Sequence, residues 1–126
     1  MAYKPDLKSA ANRHYVDGQT LMERKRFDNA GYHFGLAAEC AVKQRLLGFD
    51  VPQNDPAIWK HWPELRTLAS LALSGRTGGP MLALLQDGNF MRRWDIKMRY
   101  SNNGSVTEKQ VKGWSKDANA AIGLLL

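Results

Sequence analysis

The chain has 126 residues, 44% of them hydrophobic, which suits one globular domain over residues 1–126 and excludes an extended disordered chain. No apolar run approaches the roughly 18 residues of a membrane span, and the start, MAYKPDLKS, lacks the apolar core of a secretory signal. The single cysteine excludes an internal disulfide, so we expect a cytoplasmic protein, and the net charge of +6 favours negatively charged partners.

The first predicted helix follows Pro5, spans residues 6–26 and carries one apolar stripe. The stripe comprises Leu7, Ala10, Ala11, His14, Gly18, Leu21 and Met22. His14 lies in the middle of it, where a histidine is either a hydrogen-bonded core residue or a catalytic group. The basic triplet at residues 24–26 is expected to close the helix, because cations suit the negative end of a helix dipole.

The stretch NAGYHFGLAAECAVKQRLL, residues 29–47, predicts a central helix that is buried on nearly all sides. At 100° per residue, a face about 100° wide carries three small side chains and one ring, which suits close approach of another helix. That face comprises Phe34, Ala37, Ala38 and Ala41. Asp28 or Asn29 is expected to cap this helix, and Gly48 to end it. Cys40, on an apolar flank, is either a small core residue or a reactive thiol.

Polar side chains on these two helices are candidates for a polar cluster in the core. Glu39 and Lys43 are spaced i,i+4 with the acid first, the favourable order for an ion pair. Tyr32 lies beside them on the helical projection, and His14 and Asp17 of the first helix are further candidate members. The cluster is either a functional site or a polar network that keeps the helices in register.

A proline-containing loop leads to a third predicted helix, which begins at Pro63 and ends at Gly75. Just before this helix, Trp59 and Trp62 could stack on a base or nucleotide, or they could pin the loop to the core. A short helix is expected next, over residues 80–87.

Residues 89–103, NFMRRWDIKMRYSNN, have no clean period, and Phe90, Trp94 and Tyr100 are expected to anchor this segment across the helices. The basic part of the chain starts here, because residues 91–116 hold seven cations and two carboxylates, a net charge of +5. The cations are Arg92, Arg93, Lys97, Arg99, Lys109, Lys112 and Lys116. This concentration favours a polyanion or an acidic protein as partner; the alternative is a solvated, solubilising face.

The last helix is expected to begin at a capping box, formed either by Ser105 with Glu108 or by Thr107 with Gln110. Its apolar stripe faces the core, and its three lysines share the opposite face within about 60° of arc. The stripe comprises Val111, Trp114, Ala118, Ile122 and Leu125. With no visible strand pair or repeat, the predicted fold is all-α, an up-and-down helical bundle of four main helices plus short helical pieces.

Several segments together resemble the HEPN domain family (higher eukaryote and prokaryote nucleotide-binding). They are RHYVDGQTL, RFDNAGYHFGLAAECAVKQRLL, KHWPEL, GR and WDIKMRY, and they span nearly the whole chain. The resemblance implies an up-and-down helical bundle, commonly dimeric, of a kind that occurs in toxin–antitoxin, CRISPR-linked and antiviral systems. Many members of the family are metal-independent ribonucleases that use an R-x4–6-H motif near the start of the last helix.

This chain departs from that motif. Arg99 matches the arginine, and Tyr100 matches the polar residue that often follows it. The histidine is missing, because the corresponding positions hold Gly104, Ser105 and Val106, none of which titrates near neutral pH. All three histidines lie earlier in the chain, so the sequence identifies no catalytic residue. No metal-ligand spacing and no phosphate-binding loop is visible either, so no metal and no cofactor are expected.

Three functions stay open from the sequence. The preferred one is a non-catalytic HEPN-like module that binds RNA or nucleotides through its late basic segment. The expected contacts are Arg92, Arg93, Lys97, Arg99, Tyr100, Lys109, Lys112 and Lys116. The second is a metal-independent ribonuclease with a relocated histidine, and the third is a dimerising module with an acidic protein partner. The resemblance also implies a homodimer and suggests a nucleotidyltransferase as a possible protein partner in a toxin–antitoxin type system.

Overall fold

The computed structural model describes residues 3–74 and 79–125, and within these ranges every regular element is helical. The five α-helices are α1 (Leu7–Glu23), α2 (Phe27–Gly48), α3 (Glu64–Leu73), α4 (Gly79–Gln86) and α5 (Glu108–Gly123). Two short 3-10 helices cover Pro56–Trp59 and Ile96–Tyr100. The all-α prediction is confirmed, with α4 as the short helix that was expected over residues 80–87. No helix in the described ranges is long and apolar enough to cross a bilayer.

α2 is the central element, and both α1 and α5 pack along it. The predicted face of small residues is confirmed, because each of its four members has no exposed surface. These residues are Phe34, Ala37, Ala38 and Ala41. Side chains this small let the helix backbones approach closely, so most of the apolar surface that is removed from water lies around α2.

The turn between α1 and α2 differs from the expected one. α1 begins after Asp6, whose carboxylate accepts a hydrogen bond from the Ser9 amide (3.0 Å), and it ends at Glu23. The basic triplet at 24–26 therefore lies beyond the helix, in a turn where Lys25 has a φ of 60°. The expected helix end at residue 26 is wrong, because the left-handed residue stops the helix earlier. The triplet still closes α1, since the Lys25 and Arg26 amides donate hydrogen bonds to the carbonyls of Met22 (3.0 Å) and Leu21 (2.9 Å).

The predicted cap of α2 is also wrong. Arg26 occupies the N-cap position and makes no side-chain hydrogen bond to the helix start. Asp28 instead accepts hydrogen bonds from the backbone amides of Gly104 (2.7 Å) and Val106 (3.0 Å), far along the chain. A carboxylate that satisfies two amides of a distant loop stabilises tertiary structure, which outweighs the local preference for capping.

The later helices follow the sequence more closely. Pro63 is the N-cap of α3, which ends at Leu73, while the expected end at Gly75 lies outside the described residues. α5 begins at the second of the two expected capping boxes. The Thr107 hydroxyl accepts a hydrogen bond from the Gln110 amide (3.1 Å), and the Gln110 side chain accepts one from the Thr107 amide (3.0 Å).

Three of the four tryptophans are buried, and each docks against a glycine of α2 or its carbonyl. The indole of Trp94 donates a hydrogen bond to the Gly31 carbonyl (2.8 Å), and that of Trp62 donates one to the Gly35 carbonyl (3.2 Å). A Cβ added to Gly35 would overlap the Trp94 ring, and one added to Gly31 would lie 2.8 Å from the Trp114 ring. The two glycines are therefore required for close packing of these rings against α2.

The late segment has two of its three expected anchors. Phe90 and Trp94 are buried, at 1% and 2% exposure, but Tyr100 is 82% exposed, so its predicted role as an anchor is wrong. Tyr100 ends a single 3-10 turn that buries none of its own residues, and its ring is left in solvent. Because Trp94 is buried within one chain, its ring is not available to the surface of a second copy.

The contact between α2 and Trp94 gives a stability prediction. Gly35→Ala should lower the free energy of unfolding by about 3 kcal/mol, because the new methyl group overpacks a fixed indole. Gly113→Ala is a matched control in α5, where an added Cβ meets nothing within 4 Å, and it should raise stability by up to about 1 kcal/mol. Urea unfolding of the two variants measures both effects, and equal stabilities would contradict this packing.

Candidate functional site

Arg99 lies on the 3-10 turn Ile96–Tyr100, which packs against α2. Asp95 caps this turn by accepting a hydrogen bond from the Lys97 amide (2.9 Å). The Arg99 guanidinium carbon lies 5.6 Å from the centre of the Tyr32 ring and 5.7 Å from that of the Tyr100 ring. No carboxylate in the part of the chain that the structure describes forms an ion pair with Arg99. Its charge is held by two aromatic rings rather than neutralised by an acid.

Tyr32 connects Arg99 to the α1–α2 contact. The Tyr32 ring stacks on Trp94, with centroids 6.1 Å apart, and its neighbour His33 meets it edge-on at 5.7 Å. The Nδ1 atoms of His33 and His14 lie 3.0 Å apart, so one ring donates a hydrogen bond and the other accepts it. The Tyr32 ring thus separates Arg99 from His33, and His14 lies one ring further away.

The histidine pair is partly shielded from water. Burial lowers the pKa of His14 below its ordinary value of 6.5, and the nearby charges of His33 and Arg13 lower it further. Asp17, which is itself exposed, opposes this shift through its charge. The pair can take up one proton and keep its hydrogen bond, whereas a second proton would set two N–H groups against each other.

Glu39 and Lys43 form a separate polar network on α2. Glu39, only 1% exposed, accepts hydrogen bonds from the Trp62 amide (2.8 Å) and from His61 Nδ1 (2.8 Å), and Lys43 Nζ lies 3.9 Å from its Oε1. Burial raises the pKa of Glu39, and the charge of Lys43 and the hydrogen bonds oppose that shift. Because every Glu39 oxygen is engaged, this network fixes the loop before α3 onto α2.

The predicted polar cluster is therefore divided between two places. Tyr32 contacts Arg99 and His14 is bonded to His33, whereas Glu39 and Lys43 hold the loop before α3. Sequence reasoning missed His61 as the third member of the Glu39 network and His33 as the partner of His14. No spacing along one helix could have identified either, because both contacts join residues from different elements.

The remaining predicted cations lie in different surroundings. Arg92, Arg93 and Lys109 line a cavity of about 380 Å³ between residues 89–93 and α5. None of these three is ion-paired with an acid within residues 3–74 and 79–125. Lys112 lies 3.7 Å from the Glu108 carboxylate on the surface of α5. Lys97 and Lys116 are exposed.

The burial of their side chains decides between the alternative roles that the sequence left open for Cys40 and for the tryptophans before α3. Burial raises the pKa of the Cys40 thiol to about 11, so the thiol stays protonated at neutral pH and its reading as a small core residue is favoured. Trp62 is 1% exposed and pins its loop, whereas Trp59 is 58% exposed and donates a hydrogen bond to the Gln53 carbonyl (3.1 Å). A stacking role is open to Trp59 alone.

Comparisons of the chain with protein-family models, with curated proteins and with solved structures found no match. Among the described residues, no group of three or more histidine, cysteine, aspartate or glutamate side chains is placed to hold a metal ion. Two places are therefore candidates for function, the surroundings of Arg99 and the cavity beside α5.

The partly buried histidine pair predicts how the stability of the protein depends on pH. Because folding lowers the pKa of His14 below 6.5, the unfolded chain binds more protons just below that pH. The stabilising contribution is present above pH 6.5 and is lost as the pH falls through the folded-state pKa. His14→Gln should therefore lose less stability than wild type between about pH 7.5 and about pH 5.5, measured by urea unfolding. Contributions from carboxyl groups cancel when the variant is compared with wild type. Equal losses of stability in the two proteins would show that protonation of His14 is not linked to unfolding.

Proposed function

We propose that this protein is a small HEPN-like module that binds RNA or nucleotides through its late basic segment and does not cleave them. The observation that supports it best is the position of Arg99 between the rings of Tyr32 and Tyr100. One of these rings is fixed by its stack on Trp94, while the other is 82% exposed.

This arrangement fits the two parts of a nucleotide. A guanidinium without an acidic partner can hold a phosphate with two parallel hydrogen bonds. The exposed Tyr100 ring offers a face on which a base can stack, and such stacking tolerates any base. Arg92, Arg93 and Lys109 add positive charge nearby in the sequence, which favours an anionic chain over a neutral ligand.

The proposal includes no proton-transfer step at the expected position. The family's histidine would fall on residues 104–106, and there the amides of Gly104 and Val106 donate hydrogen bonds to Asp28. Neither residue carries a titratable side chain, so no acid or base stands at the positions where the family has its histidine.

One observation favours the second candidate, a metal-independent ribonuclease. Such an enzyme needs one group to accept the proton of the 2′-hydroxyl and another to protonate the leaving oxygen. His14 and His33 are a paired donor and acceptor, and His33 contacts Tyr32, which also contacts Arg99.

Nuclease assays separate these two functions. We expect no cleavage of single-stranded RNA by the wild-type protein in EDTA, because the histidines are engaged with each other at the helix contact. Cleavage that survives EDTA but is abolished in both Arg99→Ala and His33→Ala would replace the binding proposal with the ribonuclease.

Assembly and cellular setting belong to the same proposal. A homodimer and a toxin–antitoxin type system with a nucleotidyltransferase partner follow from the resemblance to HEPN domains, and a cytoplasmic location follows from the single cysteine. Trp62, Trp94 and Trp114 are buried within one chain, so a dimer would have to use other side chains.

The binding proposal makes a direct prediction for Arg99. Arg99→Lys keeps the charge but removes the planar pair of donors, so affinity for a labelled single-stranded RNA should fall about tenfold. Arg45→Lys is the matched control, because Arg45 also lies over an aromatic ring, 4.8 Å from the centre of Phe49, but on α2. Fluorescence polarisation at low salt measures both affinities.

Salt dependence supplies the second part of this test. Affinity should fall with added salt in proportion to the number of phosphate contacts. Equal affinities for the Arg99 and Arg45 variants would remove Arg99 from the interface. An absence of any RNA binding at low salt would overturn the proposal and leave an acidic protein as the partner.

A further inference from the structure

We propose that the cavity between residues 89–93 and α5 is a binding site for a single nucleotide unit, with its phosphate held by Arg92, Arg93 and Lys109. This inference rests on the proposed function and extends it, because it places a second subsite apart from the Arg99 turn. The lining residues that it uses are the three cations, Gly113 and Trp114.

The first support is that the wall of the cavity is fixed in place. The Trp114 indole donates a hydrogen bond to the Arg92 carbonyl (3.0 Å), and the Met91 amide donates one to the Asp117 carboxylate (2.9 Å). On the other side of the turn, the Arg66 guanidinium donates hydrogen bonds to the backbone carbonyls of Leu85, Asp87 and Phe90. A turn that is held from both sides presents its arginines in one arrangement, which lowers the entropy lost on binding.

The second support is backbone strain at the two residues that flank Arg92. Met91 has a φ of 52° and Arg93 a φ of 67°, and neither is a glycine. Side chains rarely adopt this left-handed region, and such strain persists only where the surroundings enforce it. A glycine at position 93 would relieve the strain but would remove the guanidinium, so the arginine is kept at the expense of stability.

The third support is the shape and size of the cavity. A Cβ added to Gly113 meets nothing within 4 Å, so the α5 backbone is open to the cavity there. The volume of about 380 Å³ lies within the range typical of small-ligand sites. Asn89 and Gln110 also line the cavity. The Asn89 amide supplies a donor and an acceptor for the edge of a base, and the Gln110 amide nitrogen supplies a donor, because the Gln110 oxygen already accepts the Thr107 amide.

The charges in the cavity fit an anionic ligand. Three cations line it against a single carboxylate, that of Asp117, and one oxygen of this carboxylate already accepts the Met91 amide. Asp117 therefore acts mainly on the protein's own backbone. The net positive charge of the remaining groups favours a phosphate over a neutral or cationic ligand.

Adenosine 5′-monophosphate is the probe, and the indole N–H signals in the NMR spectrum report where it binds. The Trp114 signal should shift with a saturable dependence on the nucleotide, because Trp114 lines the cavity and is hydrogen-bonded to Arg92. The Trp62 signal should not move, because its indole is buried and bonded to the Gly35 carbonyl on α2. Failure of the Trp114 signal to respond would overturn the inference.

Two glycine variants test the role of Arg93 against a matched control. Arg93→Gly should weaken nucleotide binding about tenfold while raising the midpoint of thermal unfolding by a few degrees, because it relieves a left-handed residue. Lys25→Gly removes the same charge from another left-handed residue, with a φ of 60°, and should raise the midpoint without changing binding. Equal weakening in both variants would mean that only total charge matters, which contradicts a built site.

A second pair of variants compares a carboxylate placed in the cavity with one placed elsewhere on α5. Gly113→Glu places a carboxylate in the open space at the cavity and should abolish the Trp114 shift, while Gly123→Glu adds the same charge to open space at the end of α5. The Gly123→Glu control should leave nucleotide binding unchanged. If RNA binding depends on Arg99 but Gly113→Glu also leaves nucleotide binding unchanged, the cavity proposal fails and the proposed function stands. If the chain binds no RNA at low salt, the proposed function itself fails.

Discussion

Two indole hydrogen bonds to the backbone of one helix organise this molecule. Trp94 and Trp62 reach the carbonyls of Gly31 and Gly35, which are one helical turn apart on α2. The Trp94 ring can approach the helix closely only because Gly35 has no side chain, and the Trp114 ring depends on Gly31 in the same way. A buried indole N–H needs a hydrogen-bond acceptor, because leaving it unpaired costs free energy. Each of these two bonds therefore fixes the position of its segment along α2. The loop before α3 and the segment after α4 are positioned in this way.

The functional groups depend on the same docking. Tyr32 stacks on the docked Trp94 ring and in turn lies under the Arg99 guanidinium. Trp114, packed over Gly31, holds the carbonyl of Arg92. The two groups of basic residues are thus set by rings that rest on α2, although the cations themselves are exposed. A rigid interior that positions charged side chains at the surface is a common basis for recognition of phosphates.

The polar interior has a different purpose at each place where it occurs. Glu39 is fully engaged by the Trp62 amide, His61 and Lys43, and it reinforces the contact that the Trp62 indole makes with α2. The His14–His33 pair joins α1 to α2 and lies closer to the surface. The first network therefore serves to fix a loop, whereas burial lowers the pKa of His14 in the second and so links the α1–α2 contact to pH.

The sequence by itself determined the helical class, the buried small-residue face of α2 and the stripe of α5, because these depend on periodicities within single helices. It also located the basic late segment, because the net charge of a segment follows from its composition alone. Only the tertiary structure decided that His14 pairs with His33, that His61 joins Glu39 and that Asp28 binds a distant loop. These contacts join residues far apart in the chain, and their geometry follows from how rings pack against glycines. Tyr100 illustrates the limit most clearly, since its aromatic character suggested an anchor but its position at the end of a short turn leaves it in solvent.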